Sequence, residues 1–138
     1  MNELKVFTLE EASQLLPLLT NLLMDLQEKR DLVAEIEVQI DAHELVSERI
    51  NSIPAQALSE LITKHRQAVD EFYVIVDDIH SYRCFLKDAD LGLIDFYGVV
   101  EGRRVCFCWR LGEEQIGFWH EITDGYSKRQ PLVANRDH

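Results

Sequence analysis

The apolar residues of this chain change period once, near residue 90, and that switch limits the folds open to it. From Leu15 they recur three and four apart, at Leu15, Leu19, Leu22, Leu26, Val33, Ile36, Ile40 and Ile50, with gaps at Lys29, His43 and Ser47. That spacing lines one face of an α-helix. A second helical seam runs through Leu58, Leu61, His65, Ala68, Phe72, Ile75, Ile79, Tyr82 and Leu86. From residue 91 the period is two, and LGLIDFYGVV, RVCFCWRL and IGFWHEI read as three strands. Helices first and strands after predict an α+β fold: a long antiparallel helical hairpin packed on a small three-stranded antiparallel β-meander.

Local signals fix the ends. Thr8 and Glu11 form the T-x-x-E pattern of a capping box, which starts the first helix. Pro17 either splits off a short first turn or serves as a first-turn proline of the long helix. Asn51-Ser52-Ile53-Pro54 breaks the helical pattern, and the second helix is expected over about 55–85. The chain thus reads as a single domain over 1–138. The hairpin takes 8–86, the meander 91–122, and a loop and C-terminal tail 123–138. A helix of about 30 residues is about 45 Å long, and one such hairpin has too little partner surface for both stripes. A homodimer with a four-helix core is the expectation.

Charge narrows the partners. The chain has 25 Asp and Glu against 14 Lys and Arg, a formal charge of −11. That surface repels phosphate backbones, so nucleic acid is not an expected partner. No run of apolar residues is long enough for a membrane span. The N-terminus lacks the pattern of a secretory signal. Three cysteines, Cys84, Cys106 and Cys108, are an odd number, and two of them lie on one strand. Reduced thiols and a cytoplasmic location follow.

The strands bring particular side chains together. With Glu101-Gly102 as a two-residue loop, Val99 pairs with Arg104, Tyr97 with Cys106, Asp95 with Cys108 and Leu93 with Arg110. These share one face; Ile94, Phe96, Val105, Phe107 and Trp109 share the apolar one. A four-residue loop at Gly112–Gln115 pairs Phe107 with His120 and turns His120 toward the helices. A one-residue change of that loop moves His120 to the face of Asp95 and Cys108.

Asp95, Glu113 and His120 are therefore the candidate ligands of a divalent metal, with zinc, manganese or iron suited to imidazole and carboxylate donors. A buried histidine satisfied by one carboxylate explains the same pattern. Cys106 and Cys108 are read as small buried hydrophobes, or as a thiolate ligand or nucleophile if Arg110 lowers a thiol pKa. His43 and His65 fall on facing seams, as a polar pair that fixes helix register or as a metal bridge. Asp77 and His80 lie three apart on an acidic helix side. Lys87, Asp88, Arg110 and Arg129 are candidate ligand-binding residues, with Asp88 also suited to capping a turn. Arg129 is expected to form ion pairs with Asp88 and Asp95.

The blocks LKDADLGLIDF, CWRLGEEQIGFWHE and GYSKRQPL, with FTLEEASQLLPLL near the start, resemble an uncharacterised bacterial family, domain of unknown function 2203. The motif positions carried over are Lys87, Asp88, Gly92, Asp95, Phe96, Cys108, Trp109, Gly112, Glu113, Trp119, His120, Gly125, Arg129 and Pro131. The resemblance implies a fold and a shared polar site, and no activity. No nucleophile elbow, phosphate-binding glycine loop or H-E-x-x-H pattern occurs. A binding protein is expected rather than an enzyme: one that takes a metal or small ligand at the meander, or alternatively a scaffold that assembles through its hairpin.

Overall fold

A computed structural model describes residues 4–50 and 55–132. The fold is α+β, with two long packed helices and an antiparallel sheet of five strands rather than the expected three. The helices are α1 (Leu9–Gln14), α2 (Leu16–Ile50) and α3 (Ala55–Ser81). The strands are β1 (Phe85–Asp88), β2 (Leu93–Val100), β3 (Arg103–Arg110), β4 (Phe118–His120) and β5 (Gln130–Pro131), in that spatial order.

The two added strands lie where sequence patterning is weakest. β1 is four residues placed directly after a helix, and its ladder is irregular between Leu86 and Asp88. β5 is two residues, one of them a proline, which an edge strand tolerates because no ladder N–H is needed there. Helix α3 ends at Ser81, short of the expected 85. Its exit turns through Arg83 at φ 64°, so Tyr82 and Leu86 leave the helical seam. The Asn51–Pro54 break lies outside the described residues.

Two compact units divide the chain: residues 1–24 with 77–138, and residues 25–76. The second unit is the helical hairpin. Lys29 pairs with Glu71 at 2.7 Å and His65 with Glu37 at 3.0 Å, which sets α2 and α3 antiparallel. His65 thus takes a carboxylate as partner, not the expected His43. His43 Nδ1 is buried without a hydrogen-bond partner. Leu26, Ile36 and Ala68 are buried in this unit, whereas Val33, Leu61, Val69, Phe72 and Ile75 are only half-buried.

The first unit holds the sheet. Thr8 caps α1 through the full capping box with Glu11, as the sequence indicates. Both readings of Pro17 hold together: α1 is a separate short helix, and Pro17 sits in the first turn of α2. Phe7 meets Phe96 edge-on with ring centroids 5.3 Å apart, and its N–H donates to the Tyr97 carbonyl. Ala12, Leu16, Leu19 and Leu23 are buried in the same unit as Ile94, Phe96, Val105, Phe107 and Trp109, the apolar face of the sheet. Gly98 leaves room for the Phe107 ring, since a Cβ there would lie 2.1 Å from it.

The β2–β3 hairpin has the expected register, Asp95 opposite Cys108 and Tyr97 opposite Cys106. Positive φ at Glu101 (52°) and Gly102 (78°) makes its loop a type I′ turn. The second hairpin does not follow the expected register. His120 lies opposite Cys106, Trp119 opposite Phe107 and Phe118 opposite Cys108. The connection is one residue shorter than expected, since Phe107 pairs with Trp119 and not with His120. Gly112 turns at φ 102°, and the Trp109 indole N–H donates to the Glu113 carbonyl at 2.9 Å. The change of parity moves His120 off the apolar face and onto that of Asp95 and Cys106.

Candidate metal centre

Three neighbouring strands each deliver one polar side chain to the same spot. Asp95 comes from β2, Cys106 from β3 and His120 from β4. One ligand atom from each lies within 4.8 Å of the others, and all three residues are buried. This group could hold a metal ion. Asp95 and His120 are the only buried polar or charged residues among those described. Burial of a charge is costly unless it is paired, and these two pair: Nε2 of His120 lies 2.9 Å from Oδ2 of Asp95.

The imidazole is oriented from its other side. Nδ1–H donates to the Glu121 carbonyl at 2.7 Å, because a carbonyl can only accept. Nε2 is therefore the atom turned to Asp95, and the 2.9 Å contact holds one proton between nitrogen and oxygen. A histidine ligand commonly donates its other ring N–H to a carbonyl, as Nδ1 does here, which orients Nε2 toward the ligand position.

The thiols are protonated. Burial, reinforced by the Asp95 carboxylate, pushes Cys106 up to about 11 against a smaller opposing pull from Lys87. Burial with Asp95 pushes Cys108 up to about 12. Burial raises Cys84 to about 12, and its thiol donates to the Ile79 carbonyl at 3.4 Å. All three cysteines are free. The activation of a thiolate by Arg110 is thus overturned: desolvation outweighs the nearby cations, and no thiol here is a ready nucleophile.

The third expected ligand is elsewhere. Glu113 accepts from the Arg110 N–H at 2.8 Å and from both terminal nitrogens of Arg129, at 3.2 and 2.7 Å. The partner of Arg129 is therefore Glu113, not Asp88 or Asp95. Arg129 and Arg110 converge on the Tyr126 hydroxyl, at 3.5 and 3.0 Å. Asp88 caps the turn before β2, accepting from the Leu91 N–H at 2.9 Å. Lys87 is exposed, and its charge is felt at Cys106. His80 is exposed and accepts from the Leu86 N–H at 3.3 Å. The residue that sequence reading left out of the metal set is Cys106. Its signal was present: alternation in C-x-C put both cysteines on the face of Asp95.

The model of a family described as an uncharacterized conserved protein, DUF2203, matches residues 5–132. The chain belongs to this family. The match spans every described strand and helix of the DUF2203 chain, the three buried donors included. No curated protein and no solved structure matches it. No described helix of this DUF2203 member is long and apolar enough to cross a membrane.

Proposed function

We propose that this protein binds a divalent metal through Asp95 Oδ2, Cys106 Sγ and His120 Nε2. The observation that carries the reading is a buried, charge-balanced trio of oxygen, sulfur and nitrogen donors. The group holds two displaceable protons, one shared by Asp95 and His120 and one on the Cys106 thiol. A divalent cation that replaces both leaves the net charge of the buried site unchanged. The donor atoms need only move to the roughly 3.3 Å mutual spacing of a tetrahedral zinc shell. A thiolate favours zinc or ferrous iron over manganese. Three protein ligands leave a fourth position for water or a small ligand.

Protein purified without an affinity tag should carry close to one zinc or iron per chain by elemental analysis. Apo protein titrated with zinc near neutral pH should release about two protons per metal bound. Absence of metal together with no proton release on titration contradicts the reading.

A second reading, assembly through the hairpin, draws on one observation. Val33, Val69, Phe72 and Tyr73 line an apolar groove of about 190 Å³ with Arg30. We infer a homodimer through this face, since Phe72 and Ile75 stay half-buried in the single chain. Light scattering should give twice the monomer mass at micromolar concentration, and Phe72→Asp should abolish it. A monomeric wild type excludes this assembly.

A further inference from the structure

We infer that residues 121–132 form a strap over the polar face of the sheet, latched by Arg129, and that release of the latch opens the Asp95–Cys106–His120 group. The inference rests on the metal-binding reading for its functional meaning, and on geometry for its existence.

At its start the strap is held by the His120 Nδ1–H on the Glu121 carbonyl at 2.7 Å and by an ion pair of Glu121 with Arg103 at 2.8 Å, and beyond that it has little besides the latch. Ile122, Thr123, Gly125, Ser127, Lys128, Gln130 and Pro131 are all exposed. Its backbone bonds are mostly local, Asp124 to Glu121 and Lys128 to Gly125. The ladder to β4 is two residues long, followed by one bond from Leu132 to the Gly117 carbonyl. A segment with few buried apolar contacts opens at low cost unless a specific contact pins it.

Arg129 is that contact. Its side chain is 14% exposed, in a strap whose other residues are mostly solvated. The guanidinium lies 3.9 Å from the Phe118 ring centroid and 4.4 Å from that of Tyr126, a cation held between two aromatic faces. Its two terminal nitrogens fork onto Glu113, which sits in the β3–β4 loop and not in the strap. Arg110 adds a tie from β3 to the Tyr126 hydroxyl.

What lies beneath connects the latch to the metal group. Phe118, covered by Arg129, is the cross-strand partner of Cys108. Besides burial, Asp95 and Arg129 both act on the Cys108 thiol: the Asp95 carboxylate raises its pKa and the Arg129 guanidinium lowers it. Cys108 is in turn the cross-strand partner of Asp95. On the far side Asp95 stands opposite Phe85, whose ring packs on Tyr97 with centroids 5.0 Å apart. That aromatic pair belongs to the sheet itself, so the strap side is the side able to open.

The test uses thiol labelling of the full chain by a water-soluble aromatic disulfide, with each cysteine followed by mass spectrometry. Glu113→Gln keeps the shape of the latch and removes its charge; Arg129→Ala removes the guanidinium. Both should speed labelling of Cys106 and Cys108 by about tenfold or more, while Cys84, bonded to the end of α3, keeps its wild-type rate. Equal acceleration at all three cysteines means general loosening and overturns the latch, as does no change at any of them. In the metal arm, Glu113→Gln should raise the rates of zinc uptake and of zinc loss to chelator together, with Kd nearly constant. Faster labelling with unaltered zinc rates overturns the gating role. A wild type that takes up no zinc contradicts metal binding alone, because the labelling arm needs no metal.

Discussion

Asp95→Ala will destabilise the protein by about 3–5 kcal/mol, the cost of leaving a buried charge without its partner. His120 and Asp95 lie 2.9 Å apart at 2% and 6% side-chain exposure, so water cannot take over the lost contact. His120→Ala should cost a similar amount. The double variant should cost clearly less than the two added, since the second substitution removes a group already stranded by the first. Urea denaturation of the four members of this cycle, in metal-free buffer, measures the coupling. A cost below about 1 kcal/mol for either single change, or additivity of the two, means the pair does not sustain the fold.

Stability should also fall steeply in alkali. The thiols of Cys84, Cys106 and Cys108 titrate at about 12, about 11 and about 12 in the folded chain, against an ordinary 9.0. The unfolded chain therefore loses these protons first as pH rises. The stabilisation is complete below pH 9 and is lost progressively as pH climbs through 11 to 12. Each thiol contributes a slope of about 1.4 kcal/mol per pH unit in that window. Cys84→Ala removes one of the three slopes and lies outside the metal trio. Urea midpoints measured between pH 8 and 11 should therefore drop in the wild type, and drop less in this variant. A flat wild-type profile places these thiols in contact with solvent.

The parts of this fold that sequence disclosed are those governed by local chemistry. Thr8 and Glu11 announce a capping box from four residues, and the structure has it. With Glu101-Gly102 as a two-residue turn, the β2–β3 register and the pairing of Asp95 with Cys108 follow from counting, and the structure has them. The β3–β4 loop offers no such anchor. Its conformation depends on the Trp109 indole bonding the Glu113 carbonyl, a contact that exists only in the folded sheet. One residue of difference in that loop decides which face His120 occupies, and hence whether it meets Asp95 at all. β1 and β5 were invisible for a related reason. Both are edge strands too short for a period, formed because an existing strand offers them a ladder.

The candidate site shows the same division. Asp95 and His120 stood out as chemistry in the sequence, and the shifted register brings them together. Glu113 stood out for the same reason yet serves Arg129, whose two terminal nitrogens fork onto its carboxylate. Cys106 looked like packing and is a candidate donor. Residue type alone could not separate these roles, since each depends on which neighbours the strand order supplies.

Cobalt(II) titration of the apo protein tests the central claim most directly, because a thiolate bound to cobalt gives a charge-transfer band that nitrogen and oxygen donors do not. Wild type should develop that band together with tetrahedral d–d absorption, saturating at one equivalent. Cys106→Ser should bind more weakly and lose the sulfur band while staying folded by circular dichroism, and Cys108→Ser should keep it. Absence of the band in the wild type, or its persistence in Cys106→Ser, would contradict a metal held by Asp95, Cys106 and His120.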